Sequence, residues 1–267
     1  MARRSGFSER PVPTRSLLMD ELRLLDVRVD QIDEPGLERS IISNVGSGSS
    51  RLYAYVNVNA VNLARNDRRF REIINGASVV YCDGEGVRLG ARLLGRRLPP
   101  RTVLTYWVWN LCALMEERGL SVFLLGAREP VVNKAAAVLR ERYPKLRLAG
   151  WHHGFFEKQG EESRKVVEVI NRAAPDLLFV GFGMPLQEYW IEENLGLLRP
   201  RIVLPAGSMI EYIAGEKKLT PTWMANSGLE WFYRLLREPR RLWKRYLLGN
   251  PLFILRVVGQ RIRFGRI

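Results

Sequence analysis

Residues 177–195 read Leu177-Leu-Phe-Val-Gly181-Phe-Gly183-Met-Pro185-Leu-Gln187-Glu188-Tyr-Trp-Ile-Glu-Glu-Asn-Leu195. The run 177–180 is short, wholly apolar and rich in β-formers, which suits a strand buried on both faces. Two glycines stop it, and Pro185 opens a stretch of helical length, where its fixed φ and missing N–H cost nothing. The same strand–turn–helix unit recurs on either side. Strands are expected at 25–30, 53–57, 78–81, 122–125, 147–150 and 202–205, with helices at 35–44, 58–75, 84–94, 105–118, 130–143, 161–173 and 185–195. Short apolar strands alternating with amphipathic helices predict an α/β fold: a Rossmann-like, mainly parallel sheet flanked by helices.

The rhythm ends near Gly215. Three parts follow: a loose, polar leader over 1–20, an α/β domain over 21–215, and a C-terminal appendage over 216–267. The appendage starts as a polar connector around Pro221. It continues as an amphipathic helical segment with a break at Pro239 and a basic end at Arg261, Arg263 and Arg266. Arg234, Arg237, Arg241 and Arg245 recur at three- and four-residue steps, which one continuous helix would align in a stripe.

The 267 residues carry 42 Lys+Arg against 28 Asp+Glu, a net charge of +14, and 46% are hydrophobic. That composition is globular and excludes a disordered or fibrous chain. Residues 228–267 hold ten Lys/Arg and two Asp/Glu, so more than half of the excess sits on the appendage. Such a segment suits an anionic membrane surface, a diphosphate or nucleic acid. A helix packed on the domain with a solvated basic face is the plainer alternative. No apolar run approaches the roughly 20 residues of a membrane span, and no apolar run follows Arg3 and Arg4 as a signal peptide requires. Two cysteines make no disulfide framework, so a cytoplasmic setting is expected.

Candidate chemistry gathers at predicted strand ends, where α/β sheets bind ligands. Asn57 and Asn59 offer amides to sugar hydroxyls or a nucleotide, or alternatively cap a helix. In Cys82-Asp83-Gly84-Glu85-Gly86, Asp83 stands where a general base is useful, and capping of the next helix is the competing role. Gly181, Gly183 and Gln187 form a third site. A nicotinamide fingerprint fails there because Leu186 occupies the place of the third glycine. Ala206-Gly207-Ser208, with Glu211 one turn on, is the fourth. There is no Walker loop, no zinc spacing around the adjacent His152 and His153, and no nucleophile elbow. The chain lacks Asp-x-Asp, so a carboxylate-clamped Mg²⁺ on a nucleotide diphosphate is unsupported and no cofactor is expected. Arginines of the appendage are then the available counter-charge.

Six segments in this order resemble the WecG/TagA/CpsF glycosyltransferase family. They are Asn57-Val-Asn59-Ala-Val, Asp83-Gly84-Glu-Gly86-Val, Glu117-Arg-Gly-Leu-Ser-Val-Phe-Leu-Leu-Gly126, His153-Gly154-Phe-Phe156, Gly181-Phe-Gly183-Met-Pro185-Leu-Gln187-Glu188, and Gly228-Leu-Glu-Trp231 with Arg234-Leu and Glu238-Pro239. The resemblance implies a metal-independent, inverting transfer of a hexose-type residue from a UDP-sugar. The implied acceptor is a saccharide on a polyprenyl diphosphate at the inner face of the cell membrane. It implies Asp83 as base, and Asn57, Asn59 and Gln187 in the sugar-nucleotide pocket. Gly181, Gly183 and Glu211 complete the substrate-binding set. Arg234 and Arg241, with Arg237 and Arg245 in reserve, are assigned to the diphosphate.

The chain departs from the family pattern in three places. Leu104 and Tyr106 replace the usual Gly-x-Asp after its Arg-Val, Glu211 stands for an Asp, and Leu219-Thr220-Pro221 replaces Arg-Ala-Pro. Two other classes are weighed: a nucleic-acid-binding α/β protein, disfavoured by the Leu/Trp/Phe pattern within the basic segment, and a catalytically inactive scaffold of polysaccharide assembly. A homo-oligomer is compatible with the sequence.

Overall fold

A computed structural model describes residues 21–46 and 48–264, so the leader expected over 1–20 and the basic Arg266 lie outside the described residues. The core is a six-stranded sheet of β3 (Arg51–Val56), β4 (Val79–Cys82), β5 (Ser121–Gly126), β6 (Arg147–His152), β7 (Leu177–Gly181) and β8 (Ile202–Pro205). Its spatial order is β4-β3-β8-β7-β5-β6 and every pairing is parallel. The carboxyl ends of β4, β3, β8 and β7 therefore lie side by side, and the segments carrying Asp83, Asn57, Gly207 and Gly181 emerge there together.

Alternating side chains of these strands point to opposite faces, and both faces are covered. Phe123, Leu125, Leu178 and Val180 pack on one side with α2 (Val58–Asn66), α3 (Arg68–Gly76), α4 (Glu85–Leu93), α7 (Gly160–Ala173) and α8 (Leu186–Asn194). Val122, Leu124, Leu177 and Phe179 pack on the other with α1 (Glu34–Val45), α5 (Leu104–Glu117), α6 (Glu129–Arg142) and α9 (Met209–Ile213). Each buried Val, Leu or Phe contributes about 1.5–3 kcal/mol, so the sheet is the main source of cohesion.

Three elements differ from the sequence expectation. Residues 25–30 are not one strand: β1 (Glu21–Leu24) and β2 (Val27–Asp30) form a separate antiparallel hairpin. Leu25 and Asp26 are its turn, with φ of 51° and 67°. That left-handed pair matches the twist of a tight hairpin, but the sequence lacks the Asn-Gly type that signals it. Residues 58–75 are not one helix either. Asp67 ends α2 and caps α3, accepting a hydrogen bond from the Phe70 N–H at 2.9 Å. The third is α9, which is too short for periodicity to reveal.

The C-terminal part runs through α10 (Thr222–Asn226), α11 (Glu230–Arg237), α12 (Pro239–Trp243), a π-helical turn (Lys244–Leu248) and α13 (Gly249–Phe264). The break expected at Pro239 falls between α11 and α12, where Glu238 leaves helical geometry. α13 returns to the body of the molecule, and its Phe253 and Val257 are fully buried in the same core as the sheet. Gly90 of α4 makes that approach feasible, because a β-carbon there would lie 2.7 Å from the Phe253 ring. Hydrogen bonds from Asn62 Nδ2 to the Gly249 carbonyl (2.9 Å) and from Arg261 to the Leu93 carbonyl (2.6 Å) hold the helix along its length.

Candidate active site

Two cavities meet over the carboxyl end of the sheet. The first, about 260 Å³, is floored by Gly181–Met184 and Ala206–Ser208 and roofed by Arg234, Arg241, Arg245 and Tyr246. The second, about 590 Å³, lies between α4, α11 and α13. Asn57, Asn59, Asp83, Arg234, Arg245 and Tyr246 line both.

Asp83 follows β4, and its backbone N–H donates to the Val56 carbonyl at 2.9 Å, which extends the β3–β4 pairing by one residue. It does not cap α4, whose capping position is Gly84. Asn57 caps α2 instead: its Oδ1 accepts from the Ala60 N–H at 3.1 Å. With that oxygen occupied, the Asn57 Nδ2 faces Asp83 and donates to its Oδ2 at 3.1 Å. Of the two roles posed for Asn57, the structure shows the cap, and the remaining amide N–H group meets Asp83. Asp83 Oδ1 takes no hydrogen bond from the described residues. Burial pushes the Asp83 carboxyl up to about 6, against the lowering effect of Asn57; Glu230 raises it, while Arg234 and Arg101 lower it. A carboxylate so placed is ionised at neutral pH yet basic enough to take a proton.

Asn59 lines the cavities with its Nδ2 3.9 Å from the Met184 sulfur. Gly181 and Gly183 lie in the floor, and a β-carbon on Gly181 would sit 2.8 Å from the Gly207 carbonyl oxygen, so only glycine lets β7 and β8 end this close. Gln187 is not in the cavity wall. It is fully buried beneath the floor. There its Oε1 accepts from the N–H groups of Gly183 (3.1 Å) and Gly207 (2.9 Å), and its Nε2 donates to Glu188 (2.8 Å) and Tyr55 (3.3 Å). Gln187 thus ties two cavity loops together rather than presenting an amide to a ligand. Glu188 beside it is buried, and desolvation pushes it up to about 7. Glu211 lines the first cavity 3.8 Å from the Lys217 ammonium, with its Oε2 buried and unpartnered.

Three of the four arginines reach the cavities. Arg234 is half-buried, pairs with Glu230 at 2.9 Å and leaves its Nε without a partner. Arg245 lines both cavities, and Arg241 lines the first while pairing with Glu238. Arg237 is exposed and lies outside both. A single continuous helix does not carry the four arginines: Arg234 and Arg237 lie on α11, and Arg241 and Arg245 follow the turn at Glu238–Pro239.

Sequence reasoning missed an ion-pair chain behind Asp83. Arg101 pairs with Glu230 at 2.6 Å and Glu85 at 3.6 Å, and Glu85 pairs with Arg88 at 2.7 Å. Arg101 also donates to the Ala225 carbonyl. This chain fastens α11 to α4 and the loop before α5. Its only sequence signal was Glu230 within the Gly228–Trp231 segment and Arg101 ahead of the atypical Leu104–Tyr106 stretch. Val103, Leu104 and Thr105 line the first cavity, and the Tyr106 hydroxyl donates to the Thr220 carbonyl at 3.4 Å. The departure at Leu104 therefore alters a cavity wall, and Tyr106 joins it to the altered Leu219–Pro221 segment. Among the described residues, no group of three or more His, Cys, Asp or Glu is placed to hold a metal ion.

The chain matches the family described as "Glycosyl transferase WecG/TagA/CpsF family" over residues 22–266. It is 31% identical over 206 residues to the N-acetylglucosaminyldiphosphoundecaprenol N-acetyl-beta-D-mannosaminyltransferase of Bacillus subtilis (strain 168), covering 77% of this chain and 78% of that protein. The protein of the same description from Staphylococcus aureus (strain MW2) is 32% identical over 201 residues, covering 75% and 77%.

Proposed function

Because the chain belongs to the WecG/TagA/CpsF family of glycosyl transferases, we propose that it moves a hexose-type sugar from a UDP-sugar to a saccharide on a polyprenyl diphosphate, with inversion and without a metal. The observation that carries this reading is the place of Asp83: a half-buried carboxylate at the junction of two cavities, beneath a roof of arginines. In the proposed step the acceptor hydroxyl oxygen attacks the anomeric carbon, and its proton passes to Asp83 Oδ1. The bond from that carbon to the diphosphate oxygen breaks, and the electron pair leaves with UDP. Arg234, Arg245 and Arg241 stand over the first cavity, where they offset the charge growing on the leaving diphosphate.

Attachment to the inner face of the membrane is part of the same proposal. No helix among the described residues is long and apolar enough to cross a bilayer. The C-terminal elements instead expose Trp243, Leu247, Leu248, Leu252 and Leu255 among arginines, a mixture suited to the interface of an anionic bilayer. That mixture favours a membrane over nucleic acid, which is held chiefly by charge.

The test uses UDP-N-acetylmannosamine as donor and a short-chain prenyl-diphosphate N-acetylglucosamine as acceptor, with EDTA present. Transfer is expected to survive EDTA. Asp83→Asn is expected to lose about 10²-fold or more in kcat while UDP binds within twofold of wild type. Near-wild-type turnover by that variant would remove Asp83 from the role of base, and loss of all transfer on chelation would contradict the metal-free step.

A further inference from the structure

The second cavity is left without an assigned ligand by the step above. We propose that it is the seat of the lipid-linked acceptor, with the diphosphate on Arg88 and Arg92 of α4 and the first isoprene units between Leu89, Trp231 and Ile254. This rests on the glycosyl-transfer reading and extends it to the place of the acceptor.

Four observations converge. First, the cavity is more than twice as large as its neighbour and shares Asp83 with it. A displacement at carbon brings nucleophile and leaving group in from opposite sides, and two cavities joined at the base provide that approach. Second, the chemistry of the two linings differs. The first cavity alone offers Ser208, Glu211, Lys217 and the backbone of Gly181–Gly183 and Gly207 at the strand ends, which suits a nucleotide-sugar. The second alone adds an apolar wall of Leu89, Trp231, Phe253 and Ile254 next to Arg88 and Arg92, with Glu85 and Glu230 already held by Arg88 and Arg101, which suits a chain that is anionic at one end and hydrocarbon at the other. Third, the charge is available. Arg92 makes no ion pair among the described residues, and Arg88 gives one N–H to Glu85 at 2.7 Å while its Nε stays buried and unpartnered. Fourth, the apolar wall continues outward. Leu89 is 45% exposed at the rim, and α13, which supplies Phe253 and Ile254, presents Leu252 and Leu255 to solvent. A prenyl chain leaving between α4 and α13 therefore stays on apolar surface.

The test is direct binding to the full chain by titration. One ligand is N-acetylglucosaminyl diphosphate on a short prenyl chain, and the other is UDP. Arg92→Glu and Leu89→Asp change exposed positions of α4, and their folding is checked by thermal unfolding. Each is expected to raise the Kd of the prenyl probe at least tenfold and to leave the Kd of UDP within twofold. Arg241→Glu, on the roof of the first cavity, is expected to do the reverse. Prenyl-probe affinity unchanged in both α4 variants overturns the assignment, as does an equal loss of UDP affinity. A wild type that does not bind the prenyl probe also overturns it. If wild type binds the probe as expected but transfers no sugar, the acceptor site stands and the transfer reading fails. If wild type transfers sugar and the α4 variants bind normally, the transfer reading stands and this site fails.

Discussion

The proposed transfer turns on one side chain, Asp83. Its carboxyl, usually at 3.8, is pushed up to about 6 by burial. As a base it must be ionised, so kcat/KM is expected to fall about tenfold per pH unit below 6 and to be level above it until another group titrates. The same shift acts on stability. Between 3.8 and 6 the folded chain holds a proton that the unfolded chain has released, so stability falls as pH rises through that window. Asp83→Asn removes the effect. It is therefore expected to raise the Tm at pH 7.5, by an amount equivalent to about 1–2 kcal/mol after allowance for partial exposure, with the gain fading by pH 4. Thermal unfolding at both pH values checks it, and an equal gain at each would sink the argument. Sequence placed Asp83 and Asn57 at strand ends correctly but left each divided between capping and chemistry. The hydrogen bonds decide the capping question: Asn57 caps α2 through its Oδ1 and turns its N–H groups to Asp83, and Asp83 does not cap α4.

At the scale of elements, the informative contact is α13 on α4. Phe253 is fully buried against Gly90, where no larger residue leaves it room. Phe253→Ala is expected to cost about 3–5 kcal/mol, read from urea unfolding. Leu255→Ala, on the 69% exposed side of the same helix, should stay within about 0.5 kcal/mol. Equal effects would mean that α13 is not docked as described. The amphipathic pattern showed that this segment has an apolar face and a break at Pro239. It did not show that the apolar residues divide between two partners, with Phe253 and Val257 facing the core and Leu252 and Leu255 facing outward. Arg237 shows a related limit. It shares the continuous helix α11 with Arg234, yet as the last residue of that helix it is exposed and outside both cavities, while Arg234 before the turn and Arg241 and Arg245 after it line them.

For the whole molecule, charge and apolar surface coincide on the C-terminal elements. The full chain is expected to float with vesicles containing phosphatidylglycerol and to be released by salt, since a Debye length of about 10 Å at 0.1 M screens exposed charges. Leu247→Asp combined with Leu255→Asp should reduce that binding at least tenfold while UDP affinity stays unchanged; undiminished flotation would place the contact elsewhere. The sequence by itself determined the α/β class, because strands buried on both faces must be apolar and their helices amphipathic. It also determined the strand-end location of Asn57, Asp83 and Gly181, because ligand-facing loops follow parallel strands. Only the tertiary structure decided the strand order that brings those loops together. The burial of Gln187 beneath the floor, the Arg101–Glu230–Arg234 ion pairs and the second cavity were likewise settled there. These depend on contacts between residues far apart in the chain, and no local pattern encodes which distant partner a buried polar group will meet.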